Sequence, residues 1–441
     1  MELTEQKPPW KTHGDFFQNS SSTNRQASLF IFKSEWNNDT IDIELQKEKE
    51  LITQYEKHHI WELAKKMANP YECIYTQDDN HFHPSLCILR PLSRSFYKMI
   101  EMMHILQFFE RLPKQTQKLR SAHVAEGPGG FIEAFLELAE KNKKFIESAH
   151  AMTLKPTDNH IPGWRRATTF LQRHKEIILE YGDGTGDIYK KVNQDIFVNV
   201  ANKVHLFTAD GGFDFSTDYQ HQEKSVYHLL ICSALIGLRC LHVEGSFILK
   251  LFDIYSEHTQ ILLSLIGRCF KEWILYKPST SRPCNSERYL LCRGYRGQNK
   301  EVLSMLTKME EMSSKGHYAS SDTYLMEKER AYFSQNSNDI VLLQKNALAE
   351  ARAYIYAPSK WKEDFNQHFK VSHEWCSKFH MPMMQKAPSC SSVQAVVSHM
   401  TARAAGLQLQ KPDAEITLPH PSDLKEQALS QEIVCDTLPS P

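Results

Sequence analysis

The chain has 441 residues, 41% apolar and 24% charged, enough to bury a sizeable core and too apolar for general disorder. Its longest apolar run, residues 229–238, is interrupted by Ser233 and falls short of the about 20 residues a membrane-spanning helix needs, so no membrane segment is expected. The formal net charge of −1 hides an asymmetry: residues 35–50 and 411–441 each carry a net −4, which leaves +7 on the remainder, a body suited to an anionic ligand. Ten cysteines, none spaced Cys-x-x-Cys, are too few for a disulfide scaffold, and the opening residues lack the apolar core of a secretory signal. The expectation is a reduced intracellular compartment with no metal site.

In chain order, residues 1–38 are polar and include Pro8-Pro9 and a Ser/Asn run, the pattern of a flexible arm. Residues 40–67 read as a helix, with Leu51, Ile52, Tyr55, His59 and Leu63 on one stripe and Asn69-Pro70 as its stop. A second helix is expected over residues 93–112, with Phe96, Ile100 and Met103 on its apolar side. The texture then changes. Short β-like runs are expected at 121–125, 149–154, 204–209 and 246–252, with helical segments between them. Strands alternating with helices imply βαβ units and a mainly parallel sheet. Two further strands, 273–276 and 289–293, are joined without a helix and predict an antiparallel hairpin at one edge. Helices are expected again over 301–312, 339–356 and 360–379. Ser and Pro become frequent after 387, and the last residues are acidic and read as mobile.

Gly127-Pro-Gly-Gly130 lies between a strand and a helix, where doubly wound sheets bind ligands. A dinucleotide fingerprint would need glycine where Ile132 stands, and a phosphate loop would need Gly-Lys-Ser/Thr where Phe131 follows Gly130. A turn that holds the amino-acid end of S-adenosylmethionine remains, with a plain glycine-rich connector as the alternative. A second glycine turn, residues 181–187, offers Asp183 or Asp187 as hydrogen-bond acceptors, or is simply an Asx turn. Three ionised residues stand at strand ends: Asp210, Lys250 and Glu287. Lys250 interrupts an apolar strand, which is costly unless it is paired or working. The set is either a structural ion pair or a catalytic one. Methyl transfer to a ribose 2′-hydroxyl would need such a base, and a nearby cation, Lys98, would lower its pKa.

These segments together resemble a known family. Ala125-Glu-Gly-Pro-Gly-Gly-Phe131, Met152-Thr-Leu-Lys155, Gly184-Thr-Gly-Asp-Ile188, Ala209-Asp-Gly-Gly-Phe213, Phe247-Ile-Leu-Lys-Leu-Phe-Asp253 and the run from Lys277 to Tyr289 resemble the FtsJ-like RNA 2′-O-ribose methyltransferases. The closest branch is the one acting on the 5′ cap of messenger RNA, including the stand-alone members of large cytoplasmic DNA viruses such as African swine fever-like viruses. The resemblance implies a Rossmann-like α/β sheet with an antiparallel edge hairpin, flanked by helical extensions. Composition and periodicity together with the resemblance divide the chain into an arm (1–38), a helical N-terminal region with cap contacts (39–118), the methyltransferase domain (119–298), a helical C-terminal region (299–385) and an acidic mobile tail (386–441), the resemblance itself not reaching residues 1–60 or 300–441.

It also implies a catalytic tetrad of Lys98, Asp210, Lys250 and Glu287. S-adenosylmethionine would be held by Ala125, Glu126, Gly127, Pro128, Gly129, Gly130 and Phe131, with Asp187, Ile188 and Asp210. Substrate contacts fall on Lys65, Asn69 and Asn285. Glu126 replaces a commonly small residue, and Ser93 stands where the animal enzymes have asparagine. Lys65, Lys66, Arg90, Arg94, Arg165 and Arg166 are candidates for RNA phosphates, and Tyr71, Phe82 or Trp164 for stacking on the cap guanine. The implied partner is capped mRNA, with the viral capping or transcription machinery for a viral enzyme; the implied location is then host cytoplasm and virion, or the nucleus for a cellular enzyme. A related enzyme of ribosomal or transfer RNA, or a non-catalytic binding subunit keeping the fold, are the alternatives.

Overall fold

The computed structural model describes residues 10–12, 30–36, 43–55, 58–76, 85–157, 163–212, 222–321, 323–384 and 390–405. Its strands are β1 (Lys11–Thr12), β2 (Ile31–Lys33), β3 (Lys118–Val124), β4 (Phe145–Met152), β5 (Ile177–Glu180), β6 (Val204–Ala209), β7 (Leu241–Leu251), β8 (Phe270–Tyr276), β9 (Arg288–Tyr295) and β10 (Tyr318–Ser320). Eight of them form one sheet in the order β1-β8-β9-β7-β6-β3-β4-β5, and β2 and β10 form a separate antiparallel ribbon. The block from β7 through β5 is parallel. β9 runs antiparallel between β7 and β8, so the chain leaves β8, turns through residues 277–287 and re-enters beside β7. β1 extends this edge beyond β8.

The helices are α1 (Ile43–Ile52), α2 (His59–Met67), α3 (Ser95–Leu106), α4 (Phe108–Arg111), α5 (Gly130–Lys141), α6 (Thr168–Arg173), α7 (Lys191–Val200), α8 (Gln222–Cys240), α9 (Glu257–Arg268), α10 (Lys300–Ser313), α11 (Glu327–Tyr356), α12 (Trp361–Lys378) and α13 (Cys390–Ala405). One core joins the sheet to α8, α9 and α10 through Phe207, Leu230, Ile236, Phe247, Ile261 and Leu306. A second joins the other face to α3 and α5 through Phe96, Ile100, Phe131, Phe135 and Leu291. This is the doubly wound α/β arrangement, both faces covered by helices.

The third core lies between the two ends of the chain. Leu45, Trp61 and Leu63 of α1 and α2 pack with Leu348 and Tyr354 of α11, Trp361 of α12 and Val396 and Met400 of α13. The N- and C-terminal helical regions are therefore one layer.

Several boundaries differ from the sequence reading. The helix expected over 40–67 is two helices, and that over 93–112 breaks at Gln107, which adopts φ 51° and caps α3. α11 starts at Glu327, well before residue 339. Part of the expected tail, residues 390–405, is α13, whose Val393, Val396, Val397 and Met400 recur at helical spacing and are buried. Two stretches of the expected arm pair as β1 and β2. The remaining tail, from residue 406, lies outside the described residues, as does Phe82.

Candidate active site

The carboxyl ends of β3, β6 and β7 share one rim because these strands are parallel and adjacent. After β3 the chain reverses through Ala125, at φ 56°, and Gly129, at φ 103°, a conformation that favours glycine. A Cβ on Gly127 would stand 2.4 Å from the Gly163 carbonyl oxygen, so this position tolerates no side chain. The turn feeds straight into α5, whose first amides have no acceptor within their own helix. Pro128 lies within this turn, and Phe131 packs beneath it beside Tyr289, with ring centroids 5.9 Å apart.

Glu126, beside the first glycine, is buried. One carboxylate oxygen accepts the Thr208 hydroxyl; the other is 3.3 Å from His123 Nδ1 and completes no hydrogen bond. His123 in turn meets Thr208 Oγ1 at 2.7 Å and Ser121 Oγ at 2.8 Å, so a polar chain runs under the turn across β3 and β6. Burial raises the Glu126 pKa. In the second glycine turn, Asp183 is engaged by Lys190 Nζ at 2.8 Å, Thr185 and Asn193. Asp187 accepts the Tyr189 N–H at 2.9 Å, and Ile188 is buried.

Four charged head groups converge on the same rim. Asp210 follows β6, Lys250 is next to last in β7, Glu287 directly precedes β9, and Lys98 comes from the first turn of α3. Lys98 Nζ is 2.5 Å from Glu287 Oε1. Lys250 Nζ is 3.5 Å from Asp210 Oδ1 and 3.9 Å from Glu287 Oε2. The four side chains keep between 8% and 15% of their surface, so they are largely desolvated yet reachable. Burial lowers the Lys250 pKa, but the Asp210 and Glu287 carboxylates outweigh burial and raise it. Glu287 is driven the other way: burial favours its neutral form, and Lys98 and Lys250 overcome it and hold the carboxylate well below its usual range.

A fifth group escaped the sequence reading. The buried Tyr289 hydroxyl lies 2.8 Å from Asp210 Oδ1 and 3.1 Å from Glu287 Oε1, bridging the two acids. Tyr289 pairs with Lys250 across the β7–β9 ladder. It also stands two residues after Glu287, and strand alternation puts such residues on one face, which is the signal that could have found it.

The loop between β8 and β9 is pinned from three sides. Glu101, one turn beyond Lys98, accepts Tyr276 Oη at 2.5 Å, the Ser279 N–H at 2.6 Å and Trp375 Nε1 at 3.0 Å. Lys277 Nζ donates to Asn285 Oδ1 at 3.1 Å and to the carbonyl oxygens of Asn285 and Glu287 at 2.9 and 2.8 Å. Burial, with Arg288 and Lys98 nearby, lowers the Lys277 pKa to about 7. Glu72 receives Arg282 at 3.0 and 3.2 Å and Arg94 at 3.2 Å.

Of the substrate candidates, Lys65 and Asn285 line one cavity of about 160 Å³ with Trp61, Arg282 and Ser286. Asn69 is fully buried and spends its amide on Glu72 at 2.7 Å, a positioning contact. Arg94 is likewise occupied by Glu72 and the Tyr75 carbonyl, and Arg90 by the Cys87 carbonyl at 3.0 Å. Trp164 is buried beside Gly129, and Tyr71 is half-buried. Among the described residues no group of His, Cys, Asp and Glu is arranged to hold a metal ion.

Residues 91–295 match the family model described as FtsJ-like methyltransferase. The chain is 33% identical over 262 residues to cap-specific mRNA (nucleoside-2′-O-)-methyltransferase 1 of Xenopus laevis, covering 55% of this chain and 29% of the relative. With the enzyme of the same name from Ailuropoda melanoleuca it is 31% identical over 320 residues, covering 66% of this chain and 36% of the relative. Cap-specific mRNA (nucleoside-2′-O-)-methyltransferase 2 of Danio rerio is 30% identical over 225 residues, covering 49% and 30%. The chain thus spans about a third of the length of these curated relatives. All three come from animals, and the suggestion of a viral stand-alone enzyme gains no support from them.

Proposed function

We propose that this chain, which carries an FtsJ-like methyltransferase domain over residues 91–295, transfers a methyl group from S-adenosylmethionine to the ribose 2′-oxygen of a cap-proximal nucleotide of mRNA. The observation that carries the reading is the convergence of Lys98, Asp210, Lys250 and Glu287 beside the glycine turn. Similarity to relatives named as cap-specific mRNA methyltransferases supports the choice of RNA.

The residues present suit the cofactor. A side-chain-free turn and the first amides of α5 offer donors for a carboxylate, and the half-satisfied Glu126 carboxylate and Asp210 offer acceptors for an ammonium. Ala125 to Phe131, with Asp187 and Ile188, would hold it. When bound, the cofactor supplies an electrophilic methyl on a sulfonium, so no metal is required. Lys250 Nζ takes the proton from the 2′-hydroxyl. Asp210 and Glu287 orient that amine, and Lys98 compensates the charge on Glu287. Tyr289 keeps the two acids apart at a fixed spacing. Asn285 and Lys65 face the cavity in which the cap-proximal part of the RNA would lie.

The test is methyl incorporation into matched capped and uncapped transcripts and into ribosomal and transfer RNA. The reading expects labelling of capped RNA alone. Equal labelling of all substrates would remove cap specificity, and cofactor binding without transfer to any of them would point to a binding subunit.

A further inference from the structure

Asn285, in the β8–β9 loop, lines the cavity that also holds Lys65 and Trp61. Its side-chain amide has an acceptor at one end and two donors at the other, and the end that meets the cavity decides what it can recognise. Hydrogen bonds inside the loop settle the orientation. Oδ1 accepts Lys277 Nζ at 3.1 Å and the Glu287 N–H at 3.2 Å. Neither group can accept while the lysine is charged. A reversed amide would lose both hydrogen bonds and set its NH2 group against an ammonium. Nδ2 donates to none of the described residues and is left for the cavity.

Lys277 is spent on this loop. Its three shortest hydrogen bonds reach Asn285 Oδ1, the Asn285 carbonyl at 2.9 Å and the Glu287 carbonyl at 2.8 Å, with Ser281 Oγ further off at 3.4 Å. An ammonium has three protons and fills those three acceptors. A neutral amine has two, and gains a lone pair that can accept from Nδ2 of a reversed amide. Lys277 itself does not line the cavity, so it acts on a ligand only through Asn285.

We infer that Lys277 is a positioning residue for the substrate: its ammonium locks the Asn285 amide with Oδ1 inward, Nδ2 then offers the RNA a hydrogen-bond donor, and the lock loosens when the lysine loses its proton. The atom recognised is an acceptor, a phosphate or ribose oxygen, and not an exocyclic amine. The ligand in this inference rests on the RNA methyltransferase reading; the lock rests on the loop geometry alone.

Groups from α3, the loop and β9 face Lys277. Burial lowers its pKa, as do Arg288 and Lys98, while Glu287 and Cys284 raise it, and the balance lies at about 7. The ammonium prevails below that pH and the amine above it, so affinity for RNA falls as pH rises. This runs opposite to kcat, which climbs as Lys250 loses its proton, so binding is measured apart from turnover.

The test is fluorescence anisotropy of a labelled capped oligoribonucleotide with the full chain, without S-adenosylmethionine, from about pH 6 to about pH 8. The expected result is a Kd rising at least about threefold across that range. In Lys277→Met the Kd should already be high at the acid end and should not change with pH. In Asn285→Asp the carboxylate still accepts from Lys277 and the Glu287 N–H, so the loop keeps its bonds, but the cavity meets an acceptor; Kd should rise about tenfold. A flat profile in the unmodified chain, the same pH dependence in Lys277→Met, or an unchanged Kd in Asn285→Asp would each overturn the inference. A thermal melt checks folding; should Lys277→Met fail to fold, the other two measurements decide. No methyl transfer is needed, so a chain that binds capped RNA but does not methylate it still gives an answer. If the unmodified chain binds no capped RNA, the RNA reading fails separately, and the lock is read in the free protein. With 15N-labelled asparagine, the Asn285 side-chain amide resonance, assigned by its loss in Asn285→Asp, should shift over the same pH range and stay fixed in Lys277→Met. No shift in the unmodified chain would refute the lock.

Discussion

Burial would drive the Lys250 ammonium toward neutrality, but Asp210 and Glu287 together raise its pKa. A base at this position is therefore protonated at neutral pH in the free protein, and activity should climb as pH rises. Removing the carboxylate that raises the pKa must lower it. Asp210→Asn should thus shift the acid limb of the kcat/KM profile to lower pH, even though its plateau falls; an upward shift would exclude Lys250 as the titrating base. Lys250→Ala should cost at least about a hundredfold in rate with cofactor affinity retained, as measured by calorimetry. Asp210, Lys250 and Glu287 were legible because a charge at the end of an apolar strand is expensive and needs a reason. Tyr289 was not, because a tyrosine in a buried strand is equally at home as packing, and only the β7–β9 register shows its hydroxyl between two acids. Asn69 entered as a substrate candidate through the resemblance alone, and no sequence pattern shows that it is buried with its amide on Glu72.

Glu72 joins the segment after α2 to the β8–β9 loop and to the start of α3. Burial alone would raise its pKa, but Arg282 and Arg94 outweigh burial and lower it to about 2 from an ordinary 4.5. A carboxylate whose folded pKa is depressed stabilises the fold above its unfolded pKa and loses that contribution as pH falls. The window is therefore about pH 4.5 down to about 2, and the contribution is on the order of 3 kcal/mol. Acid titration of the denaturation midpoint should show a loss across that window, and Glu72→Gln should flatten it. Because the substitution leaves two arginines without their partner, it should also destabilise at neutral pH by about 3–5 kcal/mol. The strands and most helices were legible from apolar periodicity. Breaks within helices were harder to see: Gln107 ends α3 in a left-handed conformation that nothing in its side chain announces.

The ends of the chain close on each other. α1 and α2 pack on α11, α12 and α13, and Arg352 of α11 reaches Glu48 of α1 at 2.9 Å. α12 also reaches the rim, since Trp375 donates to Glu101, which holds the β8–β9 loop. The sheet that carries the candidate site is thus braced by both flanking regions. Met400→Ala, in a fully buried site on α13, should cost about 2–5 kcal/mol in urea denaturation while leaving the rate per folded molecule unchanged. Such long-range pairing cannot be read from local periodicity. The Ser- and Pro-rich composition after residue 387 masked the apolar spacing of α13.

The most direct measurement is mass spectrometric mapping of a capped transcript after incubation with S-adenosylmethionine and the protein, in parallel with its Lys250→Ala variant. The account predicts one added methyl on the ribose 2′-oxygen of a cap-proximal nucleotide and none with the variant. A methyl on a base, or equal methylation by the variant, would contradict it.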